Sequence, residues 1–135
     1  MRREWAYLLG LVGLALPPTP VAAKDITVPS GQMVSLLERL EDADGPAGLT
    51  LRYRFVAPAI AREGGSITVE AALHDIDALC SGFVLSDVAG RNTAPDQVVI
   101  TLMDRPVAFG TTAPQATQYF EAFSVDGDRC VWEGF

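Results

Sequence analysis

The sequence predicts an α+β domain in two layers, an antiparallel sheet of about five strands with one helix packed across it, in the order β-β-α-β-β-β. Three stretches carry that expectation. Leu49 to Val56 alternates almost without a break, so Leu49, Leu51, Tyr53 and Phe55 share one side of a strand and Thr50, Arg52, Arg54 and Val56 the other. Between Val69 and Cys80 the residues Val69, Ala72, Leu73, Ile76, Leu79 and Cys80 recur at helical spacing and form one apolar stripe. Near the end, Tyr119–Val125 and Arg129–Phe135 flank Asp126-Gly127-Asp128, a strong hairpin signal. A helix with one apolar stripe and strands with one apolar face bury each other best as two layers.

Taken in order, the chain opens as an export signal. Arg2 and Arg3 give a positive start, Ala6 to Leu16 an apolar run, and Val21-Ala22-Ala23 the small residues at which a signal peptidase cuts. Cleavage is expected after Ala23, leaving residues 24–135 as a single domain. The apolar run is about half of the ~20 residues that a membrane span needs, and Pro17, Pro18 and Pro20 follow it. No membrane span is therefore expected after cleavage.

Lys24 to Ser30 reads as a short extended lead-in. Residues 32–42 are ambiguous, because Met33, Leu36 or Leu37, and Leu40 fit a helix while Val34, Leu36 and Leu40 fit a strand. A strand is preferred, since Leu49–Val56 needs a partner and Asp44-Gly-Pro-Ala-Gly48 supplies a local hairpin. Pro58 closes that second strand. Thr68 is placed to cap the helix, Glu70 lies in its first turn, and Gly82 stands where it is expected to stop after Ser81. Asp87 to Asp96 reads as a loop, Val98 to Met103 as a strand, and Val107 to Thr117 as an ordered loop anchored by Phe109.

Charge narrows the partners. Residues 24–135 keep eight Lys and Arg against sixteen Asp and Glu, a formal charge of −8. Such a surface repels nucleic acid and anionic lipid. Both cysteines, Cys80 and Cys130, lie in the exported part, where an even pair reads as one disulfide. The loop it closes, about 50 residues, corresponds to roughly 4 kcal/mol of chain entropy. Because Cys80 lies on the apolar stripe, the bridge ties the helix to the last hairpin, with Trp132 on the same side as Cys130.

Catalytic candidates are few. His74 is the single histidine, and Glu70, His74 and Asp77 fall on the solvent side of the helix, a trio able in principle to hold a metal. The spacing has no further signature, and solvated helix faces commonly carry these residue types. There is no G-x-S-x-G turn for a nucleophilic serine. Asp42-Ala-Asp44-Gly45 opens like a calcium loop but lacks the later acceptors and closing glutamate. An aromatic last residue, Phe135, is a mark of outer-membrane barrels, yet a barrel needs at least about eight strands. No cofactor or metal is implied. Arg52 and Arg54 share one strand face and form a possible binding face for an anionic ligand or a partner's carboxylates. Pairing with neighbouring acids such as Glu41 or Glu121 is the plainer role.

Three stretches, Leu51-Arg-Tyr-Arg-Phe-Val-Ala-Pro-Ala-Ile60, Asp75-Ile-Asp-Ala-Leu-Cys80 and Cys130-Val-Trp-Glu-Gly-Phe135, resemble a family of small exported alphaproteobacterial proteins classed as a domain of unknown function. That resemblance implies no activity and transfers no functional residue. Nothing in the chain supplies the thiamine diphosphate site that an acetolactate synthase assignment would need. The expectation is a periplasmic or secreted binding or interaction module, without catalysis, for an unknown protein or small molecule. The competing classes are a small hydrolase or metal-dependent enzyme using Glu70, His74 and Asp77, and an accessory subunit of an envelope complex.

Overall fold

The computed structural model describes residues 10, 12–15 and 25–134. The expected cleavage after Ala23 and the terminal Phe135 lie outside the described residues, and of the expected export segment only 10 and 12–15 are described, without regular structure. The α+β class holds. Among the described residues the strands are β1 (Asp25–Ile26), β2 (Val34–Gly45), β3 (Gly48–Val56), β4 (Gln97–Met103), β5 (Gln118–Asp126) and β6 (Arg129–Glu133), six in one sheet in the order β1-β2-β3-β4-β5-β6. The expected lead-in supplies the additional strand, with Ile26 opposite Val34.

Helix α1 (Val69–Leu79) begins as expected, with the Thr68 hydroxyl accepting the Ala71 amide at 3.2 Å and Glu70 in the first turn. It does not stop at Gly82. A π-helical turn over Cys80–Val84 leads directly into α2 (Leu85–Gly90), so the expected loop from Asp87 begins as helix. The added turn lets the apolar stripe continue through the buried Val84 and Val88. Phe83 meets Tyr53 and Phe55 edge-on at 6.4 and 5.7 Å. The chain turns away at Asn92, whose φ of 51° is the left-handed conformation that ends helices.

The sheet is not wholly antiparallel. β3 and β4 pair in parallel, Thr50 opposite Gln97 through Val56 opposite Met103, because the helix between them carries the chain back to the same end. The other pairings are antiparallel. β2 is a strand, as preferred, but an irregular one: the register slips between Leu36 and Glu38. Leu37 is the extra residue of a bulge, so Leu36 and Arg39, three apart, both point to the helix. The bulge breaks the alternation that an unbroken strand would show in the sequence.

The core lies between α1–α2 and the helix-side face of the sheet, with Leu51, Tyr53, Phe55, Ile76, Ile100 and Leu102 fully buried. Cys80 and Cys130 are joined, with Sγ atoms 2.02 Å apart, and this bond fastens the helical layer to β6. Trp132 does not pack beneath the helix; it is 60% exposed, and its indole N–H donates to Glu121. A second, smaller cluster of Met103, Val107 and Ala116 sits under the loop that follows β4.

Candidate functional site

The two faces of the sheet treat their charged groups differently. On the helix side the buried Asp75 and the half-buried Asp87 are each held by several donors. Asp75, wholly buried on α1, accepts the Ser30 amide (2.9 Å), the Ser30 hydroxyl (2.5 Å) and the Gln32 side-chain amide (2.7 Å), which locks the segment before β2 onto the helix. Asp87 on α2 accepts the Tyr53 hydroxyl at 2.7 Å and the Arg91 guanidinium at 2.9 Å. Arg39 Nε donates to the same Tyr53 oxygen at 3.1 Å and lies 3.4 Å from Asp87. Burial pushes the Asp87 carboxyl up, but the bonds from Tyr53 and Arg91 and the charges of Arg91 and Arg39 outweigh it and hold it below its ordinary value. Burial, reinforced by the bond to Asp87, pushes the Tyr53 phenol up to about 12. No local sequence signal marks Asp75 as structural, since its partners Ser30 and Gln32 lie 45 and 43 residues away along the chain.

Glu70, His74 and Asp77 lie exposed along α1. Partial desolvation and the negative charge of Glu121 hold the Asp77 carboxyl above its ordinary value, with His74 opposing. Among the described residues no group of three or more His, Cys, Asp or Glu side chains is arranged to hold a metal ion.

The opposite face carries Arg52 and Arg54, and the structure separates their roles. Arg54 is 4% exposed. It pairs with Glu38 and donates to the Val107 carbonyl oxygen at 2.6 Å, propping the loop after β4 against the sheet. Its acid is Glu38 rather than Glu41 or Glu121, because the Leu37 bulge sets Glu38 opposite Arg54. Glu41 instead bonds Arg39, and Glu121 bonds Trp132. Arg52 stays at the surface, and among the described residues no carboxylate pairs with it. Its guanidinium carbon stands 5.4 Å from the centroid of the Phe109 ring, and that of Arg54 stands 5.5 Å away. Phe109 is therefore not the loop's buried anchor; Val107 and Ala116 serve that purpose, while Phe109, 56% exposed, forms a shelf under the cations.

Beside this shelf lies a recess of about 220 Å³ lined by Arg52, Val99, Thr101, Phe109, Gln118 and Phe120, among others. A cation, a hydroxyl and an amide converge on an apolar floor, the usual composition of a binding site. A larger cleft of about 570 Å³ runs between α2 and the β5–β6 turn. Its Ser86 and Thr93 hydroxyls are engaged by the Gly82 and Arg91 carbonyls, and among the described residues its one charged group is Asp128 at the turn tip. The smaller recess is the better candidate because one of its two arginines, Arg52, has no carboxylate partner among the described residues.

Among the described residues no helix is long and apolar enough to cross a membrane. No curated protein and no solved structure matches the chain. A family model matches residues 13–135, nearly the whole sequence, and the chain belongs to that family, DUF6497, a family of unknown function.

Proposed function

We propose that this domain is a binding module that works outside the cytoplasm and engages a carboxylate carried on an apolar group, on a protein partner or a small molecule, at the Arg52–Phe109 recess. The observation that carries the reading is Arg52: a guanidinium braced on an aromatic ring, beside a recess, with no carboxylate of its own among the described residues. In a chain of net charge −7 such a cation stands out as an attachment point for an anion. Among the described residues the lining includes no His, Cys, Asp or Glu, which supports groups that grip a ligand rather than groups that transfer its protons. The disulfide and the signal-like N-terminus support an oxidising compartment, periplasmic or secreted.

The test is an NMR titration with N-acetyl-phenylalanine and, separately, its uncharged amide. The carboxylate is expected to shift the backbone amides of Val99, Thr101, Phe109 and Gln118, and the amide analogue to shift them far less. Arg52→Ala should abolish the response and Arg52→Lys should weaken it, since lysine keeps the charge but loses the planar fork. Equal responses to both ligands, or an undiminished response in Arg52→Ala, would overturn the reading.

A further inference from the structure

The sheet has two edges, and they differ in how they are guarded. At one, β1 covers only Ser35 and Val34 of β2. Beyond them β2 carries Glu38, Glu41, Asp42 and Asp44, charges that keep a second strand from pairing there. At the other edge β6 is five residues long, Arg129-Cys-Val-Trp-Glu133, and nothing among the described residues pairs with its outer side. Val131 is 38% and Trp132 60% exposed there.

The register of the last hairpin fixes which backbone groups of β6 face outward. A two-residue turn, Gly127-Asp128 with Gly127 at φ 62°, joins Asp126 to Arg129. The residues flanking such a turn form a hydrogen-bonded pair, so Arg129, Val131 and Glu133 spend their N–H and C=O groups on β5. Cys130 and Trp132 point theirs away from the sheet. An antiparallel partner must supply outward groups at matching positions. With a second copy of β6 this allows three two-fold registers, centred on residue 130, 131 or 132.

Only the register centred on Val131 is favoured by charge. It places Arg129 of each copy opposite Glu133 of the other, Val131 opposite Val131, and Cys130 opposite Trp132, so the outward groups of both strands are satisfied together. The registers centred on residues 130 and 132 set Arg129 or Glu133 against Val131 and lose both ion pairs. We infer that β6 is a self-association edge, through which two copies of this chain pair antiparallel about Val131 into one continuous twelve-stranded sheet. The short edge makes this a concentration-dependent dimer rather than an obligate one.

Sedimentation velocity of the purified oxidised protein, from micromolar to millimolar, is expected to show the apparent mass rising towards twice that of the monomer. Arg129→Glu sets like charges opposite each other at two places and should weaken the dimer by roughly tenfold or more, from two cross-strand pairs changed from attractive to repulsive. The double variant Arg129→Glu with Glu133→Arg restores complementarity and should regain the dimer. Circular dichroism on each variant checks that the domain is folded, and Val131→Lys, which sets two lysines face to face at the two-fold axis, gives a second block independent of Arg129. A protein monomeric throughout that range, an Arg129→Glu variant that dimerises as well as the parent, or a charge swap that fails to rescue would each overturn the inference. So would protection of β6 amides only on adding a foreign extended peptide.

Discussion

Replacing Tyr53 by phenylalanine removes a single oxygen from the centre of the polar cluster that holds α2 to the sheet. That oxygen donates to Asp87 at 2.7 Å and accepts from Arg39 at 3.1 Å, so two bonds to charged partners disappear at once. Each such bond contributes about 1.5–3 kcal/mol. Part of the loss is recoverable, because Arg39 Nε already lies 3.4 Å from Asp87 and can close on it directly. The net expectation is a loss of about 2 kcal/mol, a sizeable share of the roughly 5–15 kcal/mol that such domains possess. Urea unfolding followed by tryptophan fluorescence should show a lower midpoint with an unchanged slope, since the same surface is exposed on unfolding. In a cycle with Asp87→Asn the two effects should fall short of additive by about 1 kcal/mol, because both changes break the same bond. A Tyr53→Phe variant within about 0.5 kcal/mol of the parent, or strict additivity with Asp87→Asn, would refute the view that this cluster fastens α2.

The same cluster predicts how stability responds to pH. Tyr53 titrates at about 12 in the fold against 10.0 for a free phenol, so its contribution is intact below pH 10 and is lost as pH rises through 12, visible as a fall in melting temperature together with ultraviolet ionisation of tyrosine. Asp87, held below its ordinary value, acts oppositely: its contribution is complete above the usual carboxylate range and fades as pH falls through the lower folded value, an effect that Asp87→Asn should remove from the acid limb. Replacing Cys80 and Cys130 together by serine opens a loop spanning 50 residues and should cost about 4 kcal/mol, measured by urea unfolding of oxidised parent against variant. Asp75→Ala strands the Ser30 amide, the Ser30 hydroxyl and the Gln32 amide and should cost about 3 kcal/mol, with hydrogen exchange at residues 30–33 rising before the rest of the domain.

Where the sequence speaks through periodicity it speaks reliably here. β3, β4 and the last hairpin announce themselves, the α1 stripe carries its cap, and Cys80 on that stripe meets Cys130 on the facing strand. The departures arise where one residue breaks a period. Leu37 inserts into β2 and breaks the strand's alternation; the π-helical turn admits Gly82 without ending the helix. Parallel pairing of β3 and β4 was implicit in the helix between them, since a crossover of that length favours it. The site was half legible. Alternation placed Arg52 and Arg54 on one face, but their different fates depend on the loop after β4, whose Val107 carbonyl lies 53 residues from Arg54 and has no local sequence signal. Phe83, Val84 and Val88 were the available sign that the helix continues, at three- and four-residue steps beyond Cys80.

The contrast between those two arginines gives the sharpest way to separate folding from binding. Methionine is close to arginine's stem in length and keeps apolar contact with Phe109, so Arg54→Met and Arg52→Met differ mainly in the charge each removes. At position 54 that charge is spent inside the molecule: Glu38 loses its partner and the buried Val107 carbonyl its donor, and the loop carrying Phe109 loses its prop. The expected cost is about 3 kcal/mol, in the range for breaking a buried charged pair. At position 52 no internal acid or carbonyl is deprived among the described residues, and only a ring contact worth about 0.5–1 kcal/mol weakens. Thermal unfolding of the two variants side by side therefore distinguishes a cation that the fold consumes from one that it leaves for a ligand. If Arg52→Met destabilises the domain as much as Arg54→Met does, its charge belongs to the fold, and the recess beside it loses its reason to attract a carboxylate.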